Sequence, residues 1–266
     1  MKETILAQLP ENHPWKEHIF WFDTIDSTNN EAKRMAREGA PEGTTVIAGG
    51  QSAGRGRLGR SFCSPAGQGV YFSCILRPQC RPEQIMHLTC AAAVAAAQAV
   101  QDVSGILPGI KWTNDLVVGK RKLGGILTEI SVDPKNRLVE YAVIGIGINC
   151  SQKDADFDEA IRDMACSILG VTGRGADPAA LYGALICRFS ELSQDILTKK
   201  ADIMALYREN CVTVGQAISV VRGDAIRYGK ALSVEDDGAL RVAYDDGTEA
   251  SVASGEVSIR GMYGYL

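Results

Sequence analysis

Residues 110–149 read IKWTNDLVVGKRKLGGILTEISVDPKNRLVEYAVIGIGIN, and this stretch decides how the chain folds. Residues 115–118 and 122–130 have the composition of strands, and the GKR between them predicts a hairpin. Residues 133–136 (DPKN) predict a turn, and the apolar run 138–148 predicts a buried strand after it. With a short strand at 110–112, this stretch predicts consecutive strands of one β-sheet.

The segments on either side of this stretch predict a sheet packed with helices. A polar lead-in of about seventeen residues comes first, and Thr28 with Glu31 fits a capping box that opens the first predicted helix. Asp177 and Pro178 are typical of a helix start. Further strands are predicted at 19–23, 44–48 and 70–76, and helices at 28–38, 82–103, 177–198 and 202–209. The fold class is therefore α+β, with a mixed β-sheet and helices.

The pattern changes at about residue 212. From there to residue 266 the chain has short alternating segments, separated by Gly-Asp, Asp-Gly and Asp-Asp turns. Such a pattern predicts a small barrel of about five strands. We therefore expect a larger domain over residues 1–211 and a small β-domain over residues 212–266.

Composition excludes some classes of protein. The chain has 266 residues, is 45% hydrophobic and carries a net charge of −4, which gives no general attraction to nucleic acid or to an anionic membrane. No C-x-x-C pair, signal peptide or long apolar span is evident, which predicts a cytoplasmic protein with reduced thiols. The three histidines do not have the spacing to the cysteines that zinc ligands show.

Residues 54–60 (GRGRLGR) alternate glycine with arginine and carry no helix or strand pattern. Arginine offers planar, charged forks for carboxylate and phosphate, and glycine lets the backbone come close to those anions. The alternative interpretations are a solvated flexible loop and an RGG-like nucleic-acid tract, and a single short cluster in an acidic protein disfavours the second. The composition also predicts that this loop is mobile until a ligand binds.

Three other motifs have two interpretations each. In the predicted hairpin, Lys122 faces Asn114 and Asp115, which suits a nucleotide phosphate with a divalent metal, although a solvated basic turn has the same composition. In the same hairpin, Gly124 and Gly125 indicate close approach of a ligand or of another part of the backbone. The GIGIN of residues 145–149 lacks the third glycine and the helix of a dinucleotide fingerprint, but a strand with these glycines that ends in an amide suits a flat ligand. Residues 26–30 (DSTNN) favour plain helix capping when taken alone, and a polar ligand site otherwise.

In this order, STNN, Gln51 with GRGRLGR, KWTNDL, KRKLGG and GIGIN resemble the motifs of the biotin–protein ligase family. The resemblance covers residues 19–260 and implies the class II synthetase-like biotin/lipoate ligase catalytic fold with a C-terminal SH3-like barrel. It implies that biotin is activated with Mg-ATP to biotinyl-5′-AMP and transferred to a lysine of a biotin carboxyl carrier domain. A loop that closes over the adenylate would keep water away from it.

The resemblance also implies roles for individual residues. Catalysis is implied for Lys122, Arg55 and Arg57; contact with biotin for Ser27, Thr28, Asn29, Gln51, Arg55, Gly56, Arg57, Lys122 and Gly125; and contact with ATP for Arg57, Arg60, Phe62, Asn114, Asp115, Lys122, Asn149 and Arg260. Many relatives have tryptophan where this chain has Phe62, so a weaker stack on adenine is a hypothesis.

Three alternatives to a biotin ligase stay open at this point. A lipoate ligase or acyltransferase is the nearest, and a carrier-binding scaffold without catalysis is another. A repressor that binds DNA is disfavoured, because only about eighteen residues precede the first strand. The resemblance does not decide between monomer and homodimer or identify the carboxylase whose carrier is modified.

Overall fold

The computed structural model describes residues 1–253, the backbone of residues 258–261 and the side chain of Ile259. Its larger part is a seven-stranded mixed sheet in the order β1-β2-β3-β7-β6-β5-β4, in which the β1–β2 pair is parallel and the other neighbours are antiparallel. The strands are β1 Ile19–Phe22, β2 Thr45–Ala48, β3 Gly69–Leu76, β4 Gly109–Lys111, β5 Asp115–Val118, β6 Arg121–Val132 and β7 Val139–Asn149. The predicted mixed sheet is therefore confirmed.

The helices cover both faces of this sheet. They are α1 Lys2–Leu6, α2 Thr28–Arg37, α3 Leu88–Ser104, α4 Ile168–Thr172, α5 Pro178–Asp195 and α6 Lys200–Asn210. Helix α2 packs on one face through Ala32 and Ala36, which contact residues of β2, β3 and β7. Helices α3 and α5 pack against each other and belong to the larger cluster on the opposite face.

Two predictions at the helices were wrong in part. Residues before β1 are not only a polar lead-in, because they form α1, and Ile5 and Trp15 are buried. Isolated apolar residues give no periodic pattern, so the sequence did not reveal them. The helix expected from Pro82 is a short 3-10 helix, Pro82–Ile85, and α3 begins only at Leu88.

A second, five-stranded antiparallel sheet follows α6, as predicted for the C-terminal region. Its order is β11-β10-β9-β8-β12, with β8 Ala217–Arg222, β9 Ala225–Val234, β10 Leu240–Tyr244, β11 Glu249–Val252 and β12 Ser258–Gly261. Trp112 joins the two parts of the chain: its backbone N–H donates to Thr213 Oγ1 at 2.8 Å and its indole N–H donates to Gly238 O at 2.9 Å. No helix among the described residues is long and apolar enough to cross a membrane.

Candidate active site

The sheet face that carries α2 holds a cavity of about 720 Å³. Its floor is formed by residues of β6 and β7, where Gly125 pairs with Gly147 and Leu127 pairs with Gly145. The cavity brings together all the predicted site residues except Arg260: Ser27, Thr28, Asn29, Gln51, Arg55, Gly56, Arg57, Arg60, Phe62, Asn114, Asp115, Lys122, Gly125 and Asn149. Arg260 lies in β12, but its side chain falls outside the described atoms; its neighbour Ile259 lines the cavity.

At one end of the cavity, the side chain of Gln51 links Thr28, at the start of α2, to Ser64. Gln51 Oε1 accepts from Thr28 N at 2.8 Å and from Thr28 Oγ1 at 3.1 Å. Gln51 Nε2 donates to Ser64 Oγ at 2.8 Å. Both ends of the Gln51 amide are therefore fixed by the protein.

The capping box expected at the start of α2 is wrong. Ser27 is the N-cap residue, but its side chain makes no capping hydrogen bond. Thr28 bonds Gln51, and Glu31 pairs with Arg34 instead of reaching back to the N-cap. Because Ser27 and Thr28 line the cavity, the DSTNN motif faces this cavity instead of closing its own helix end.

Asn29 lies directly over β7. Its Oδ1 lies 2.7 Å from Ser73 Oγ, and its Nδ2 donates to Leu127 O at 3.3 Å and to Glu129 Oε2 at 3.1 Å. A Cβ at Gly145 would lie 1.8 Å from Asn29 Oδ1, a distance that no real contact allows. The first glycine of GIGIN is therefore required by the position of Asn29.

The glycine-arginine loop is anchored through Arg55. Arg55 Nη1 lies 3.0 Å from Glu129 Oε2 and 3.1 Å from Asn30 Oδ1, while Lys33 Nζ lies 2.7 Å from Glu129 Oε1. Burial by itself raises the pKa of Glu129, but hydrogen bonds from Lys33 and Asn29 and the charges of Lys33 and Arg55 lower this pKa overall. Glu129 is thus a stable anion that holds the outer side of the loop.

Arg57 points the other way, into the cavity. Its Nη1 donates to Asn114 Oδ1 at 2.9 Å. Burial lowers the pKa of Arg57, opposed by the negative charge of Asp115 and reinforced by the positive charge of Arg60. Because a guanidinium pKa lies far above neutrality, Arg57 stays charged there. The loop therefore places a partly desolvated cation next to the hairpin.

Lys122 and Asp115 form an ion pair at 2.6 Å. Lys122 is also fixed through its backbone, whose N–H donates to Met164 O at 2.7 Å. Gly125 pairs with Asp115 across β5 and β6, and a Cβ on Gly125 would lie 3.3 Å from both Lys122 Nζ and Asp115 Oδ1. The absence of a side chain at Gly125 leaves room above this pair for a ligand.

The opposite end of the cavity is aromatic and amide-rich. A Cβ at Gly147 would lie 2.5 Å from Phe62 Cε1, so this glycine accommodates the Phe62 ring. Asn149 Nδ2 donates to Cys166 O at 3.0 Å, and Asn149 Oδ1 accepts from Gln152 Nε2 at 3.3 Å. Phe62, Asn149 and Gln152 line the same cavity.

The sequence did not reveal several lining residues. Lys111 is buried in the cavity wall and belongs to KWTNDL, but its motif alone indicated no role. Gln152, Phe157 and Ile161 come from a segment without helix or strand pattern, so nothing in the sequence marked them. Among residues 1–253 and the described part of 258–261, no group of three or more His, Cys, Asp or Glu is placed to hold a metal ion.

Comparison with known proteins gives two family matches and two similar proteins. Residues 21–149 match the biotin/lipoate A/B protein ligase family, and residues 213–260 match the biotin protein ligase C terminal domain. The chain is 34% identical over 232 residues to the bifunctional ligase/repressor BirA of Bacillus subtilis (strain 168), with 87% of this chain and 71% of that protein covered. It is 32% identical over 219 residues to the biotin–[acetyl-CoA-carboxylase] ligase of Paracoccus denitrificans, with 81% and 90% covered.

A solved structure shows the same relationship. The biotin protein ligase from Aquifex aeolicus in complex with biotin and ATP superposes with a TM-score of 0.77 at 27% sequence identity. The match covers 92% of this chain and 99% of that one.

Proposed function

The chain belongs to the biotin/lipoate A/B protein ligase family and is a biotin–protein ligase, and we propose that the cavity described above carries both of its half-reactions. Biotin is activated with ATP to biotinyl-5′-AMP, and the biotinyl group is then transferred to a lysine of a biotin carboxyl carrier domain. The observation that carries this assignment is that one cavity holds three kinds of group: neutral hydrogen-bonding groups at the start of α2, the cations Lys122 and Arg57, and the ring of Phe62 with two amides.

We name the two ends of the cavity by the part of the adenylate that each would hold. The ureido end consists of Ser27, Thr28, Asn29 and Gln51, and it would bind the uncharged bicyclic part of biotin. The base end consists of Phe62, Asn149, Gln152 and Phe157, and it would bind adenine. Neutral donors and acceptors suit a urea, whereas an aromatic ring suits stacking on a base.

In the first half-reaction a biotin carboxylate oxygen attacks the α-phosphorus of ATP. A new P–O bond forms, and the bond to the bridging oxygen breaks, which releases pyrophosphate. Both reactants are anions, so catalysis requires positioning and positive charge. We assign this role to Lys122, between carboxylate and α-phosphate, and to Arg57, which Asn114 and Asp115 orient. Gly56 and Gly125 would let the ligand approach the backbone.

Arg55 would act on the loop instead of on the reacting atoms. Its guanidinium is engaged by Glu129 and Asn30, so it would hold residues 54–60 over biotin. Arg60 and Arg260 would meet the phosphates of ATP, and Asn114, Asp115 and Asn149 would face the nucleotide. Magnesium would enter as part of the Mg-ATP substrate, whose phosphate oxygens are the ligands that Mg²⁺ prefers.

In the second half-reaction the amine of the carrier lysine attacks the acyl carbon of biotinyl-5′-AMP. The amide bond forms, AMP leaves and the amine loses a proton. We propose residues 1–211 as the catalytic domain and residues 212–266 as the small C-terminal domain. A cytoplasmic location and the absence of a DNA-binding role stay predictions, and the choice between monomer and homodimer stays open.

Biotin-dependent exchange of labelled pyrophosphate into ATP tests this function, with lipoate and octanoate as control acids. We expect exchange with biotin alone. Exchange with lipoate instead of biotin would show that the chain activates lipoate. The absence of exchange with all three acids would contradict catalysis in this cavity.

A further inference from the structure

Lys111, the last residue of β4, is a buried lysine in the wall of the cavity. It is only 7% exposed, although lysine is among the residues that are least often buried. Removing an ammonium group from water costs free energy, which nearby negative charge has to offset. A buried lysine beside a ligand cavity is therefore well placed to bind an anionic part of the ligand.

Strand register places the Lys111 side chain on the face of the sheet that carries the cavity. Lys111 pairs with Asp115 across β4 and β5, Asp115 pairs with Gly125 across β5 and β6, and Gly125 pairs with Gly147 across β6 and β7. Residues that are directly opposite each other in antiparallel strands point to the same side of the sheet. A Cβ on Gly147 would meet the ring of Phe62, which lines the cavity, so this side is the cavity side.

The same register orders the groups across the sheet. From β7 to β4 they are Gly147 beneath the ring of Phe62, then Gly125, then Asp115 with its ion-pair partner Lys122, and finally Lys111. Neighbouring strands are about 4.8 Å apart, so the backbone of β4 lies roughly 14 Å from that of β7. Lys111 is therefore farther from Phe62 than the ion pair is.

The cavity wall at the hairpin has an excess of positive charge. Of the described residues that line this part of the cavity, Lys111, Lys122 and Arg57 are basic, and Asp115 is acidic. Lys111 is buried, and Lys122 and Arg57 are half-buried, so solvent screens these charges less than it screens charges at the surface. Such a group of cations favours a ligand with several negative charges, as a triphosphate has.

We propose that Lys111 binds the β- and γ-phosphates of ATP and stabilises pyrophosphate as it leaves, whereas Lys122 acts at the α-phosphate. This inference rests on the proposed function, which places adenine at Phe62 and the α-phosphate at Lys122. The β- and γ-phosphates are farther from adenine than the α-phosphate is, which matches the position of Lys111 beyond Lys122 in the row.

The charge of Lys111 would act on the leaving group. When the bond between the α-phosphorus and the bridging oxygen breaks, its electron pair stays on that oxygen, so negative charge grows on pyrophosphate. A fixed cation at this position stabilises the transition state more than the bound ATP. Biotinyl-5′-AMP has lost both outer phosphates, so Lys111 is a catalytic residue of the first half-reaction alone.

Two measurements on Lys111→Met, which has an unbranched side chain without the charge, test this inference. Biotin-dependent pyrophosphate release gives kcat/KM for ATP, and we expect this value to fall by about 10- to 100-fold. Calorimetry with a non-hydrolysable analogue of biotinyl-5′-AMP gives the affinity for the adenylate, which should stay within about twofold of the wild-type value, because the contacts of Lys111 are to groups that the adenylate lacks. Lys122→Met is the matched comparison and should weaken both quantities.

The two quantities together separate this role from a structural one. Unchanged kcat/KM for ATP in Lys111→Met overturns the proposal. An equal loss of kcat/KM and of adenylate affinity in a variant that circular dichroism shows to be folded also overturns it. If Lys111→Met does not fold, the same two measurements on Lys111→Gln, which keeps a polar head group, decide by the same criteria. Failure of the proposed function has a different signature, namely no biotin-dependent pyrophosphate release from the wild-type protein.

Discussion

The two ends of the cavity differ in how their polar groups are satisfied. At the ureido end, both amides are bonded by the protein itself: Gln51 to Thr28 and Ser64, and Asn29 to Ser73, Leu127 and Glu129. At the base end, the amide relay stops at Gln152, whose oxygen has no partner among the described residues. The first end is organised before a ligand arrives, because each side chain already has one preferred position. The second end keeps one buried amide oxygen that the described residues do not bond.

Removing the positive charge of Lys122 should have the largest effect on activity. In Lys122→Ala, biotin-dependent pyrophosphate exchange should fall by about 10²- to 10³-fold, since a preorganised positive group at the reacting atoms is lost. The matched control is Lys120→Ala, because Lys120 is an exposed lysine in the turn of the same hairpin. Equal activity in both variants would show that Lys122 takes no part in the reaction.

A methyl group added at Gly145, beneath Asn29, should disturb the ureido end and weaken biotin binding more than ATP binding. In Gly145→Ala the new Cβ would overlap Asn29 Oδ1, so Asn29 must leave its three partners. We expect a loss of stability of about 1–3 kcal/mol in chemical unfolding. Biotin affinity, measured by calorimetry, should fall roughly 10-fold or more, because one fixed amide of the binding site is displaced.

Gly175→Ala serves as the control for this change, since a Cβ at Gly175 would meet no atom within 4 Å. ATP affinity of Gly145→Ala should change less than its biotin affinity. If both affinities fell equally, the two ends of the cavity would not bind their ligands independently.

Removing the charge of Glu129 tests the outer support of the ureido end. Glu129→Gln should destabilise the protein at pH 7 by about 0.2–1 kcal/mol, because the ion pairs with Lys33 and Arg55 are partly exposed. The pKa of Glu129 is lowered in the folded state, so its contribution to stability is fully present above the ordinary pKa of a glutamate. This contribution is lost as the pH falls through the lower, folded-state pKa.

Chemical unfolding of both proteins between pH 7 and pH 3 measures this difference. The two stabilities should converge at the acid end of the range. Glu159→Gln, at an exposed position, is the control and should show no such convergence. A gap that stays constant down to pH 3 would mean that the charge of Glu129 is not what stabilises the loop.

Enlarging the aromatic ring at position 62, in the base end, should give the smallest effect, a modest change in ATP affinity. Phe62→Trp should tighten ATP binding by about 2- to 10-fold through a larger stacking area, with biotin affinity unchanged. Isothermal titration with a non-hydrolysable ATP analogue, in the presence of biotin, measures it. If ATP affinity does not increase, the hypothesis that Phe62 stacks more weakly on adenine than a tryptophan would is wrong.

Much of the site follows from the sequence because its parts are close together in the chain. Lys122, Asp115 and Gly125 lie in one hairpin, and strand register alone brings them together. The loop 54–60 was identified from composition, since alternating glycine and arginine suits few other uses. Gln152 could not be predicted, because nothing in residues 150–165 distinguishes a buried amide from an exposed one.

The sequence alone predicts most of the strands and the longer helices, the hairpin with its lysine, and the order of motifs that indicates the family. Each of these depends on residues that are neighbours in the chain, where turn chemistry and side-chain periodicity act directly. Three features are evident only in the three-dimensional structure: Asn29 occupies the space left by Gly145, Arg55 pairs with Glu129, and the Ser27 side chain makes no capping hydrogen bond to α2. These outcomes depend on packing between distant segments, because a buried hydrogen-bonding group takes whichever partner the fold places within reach.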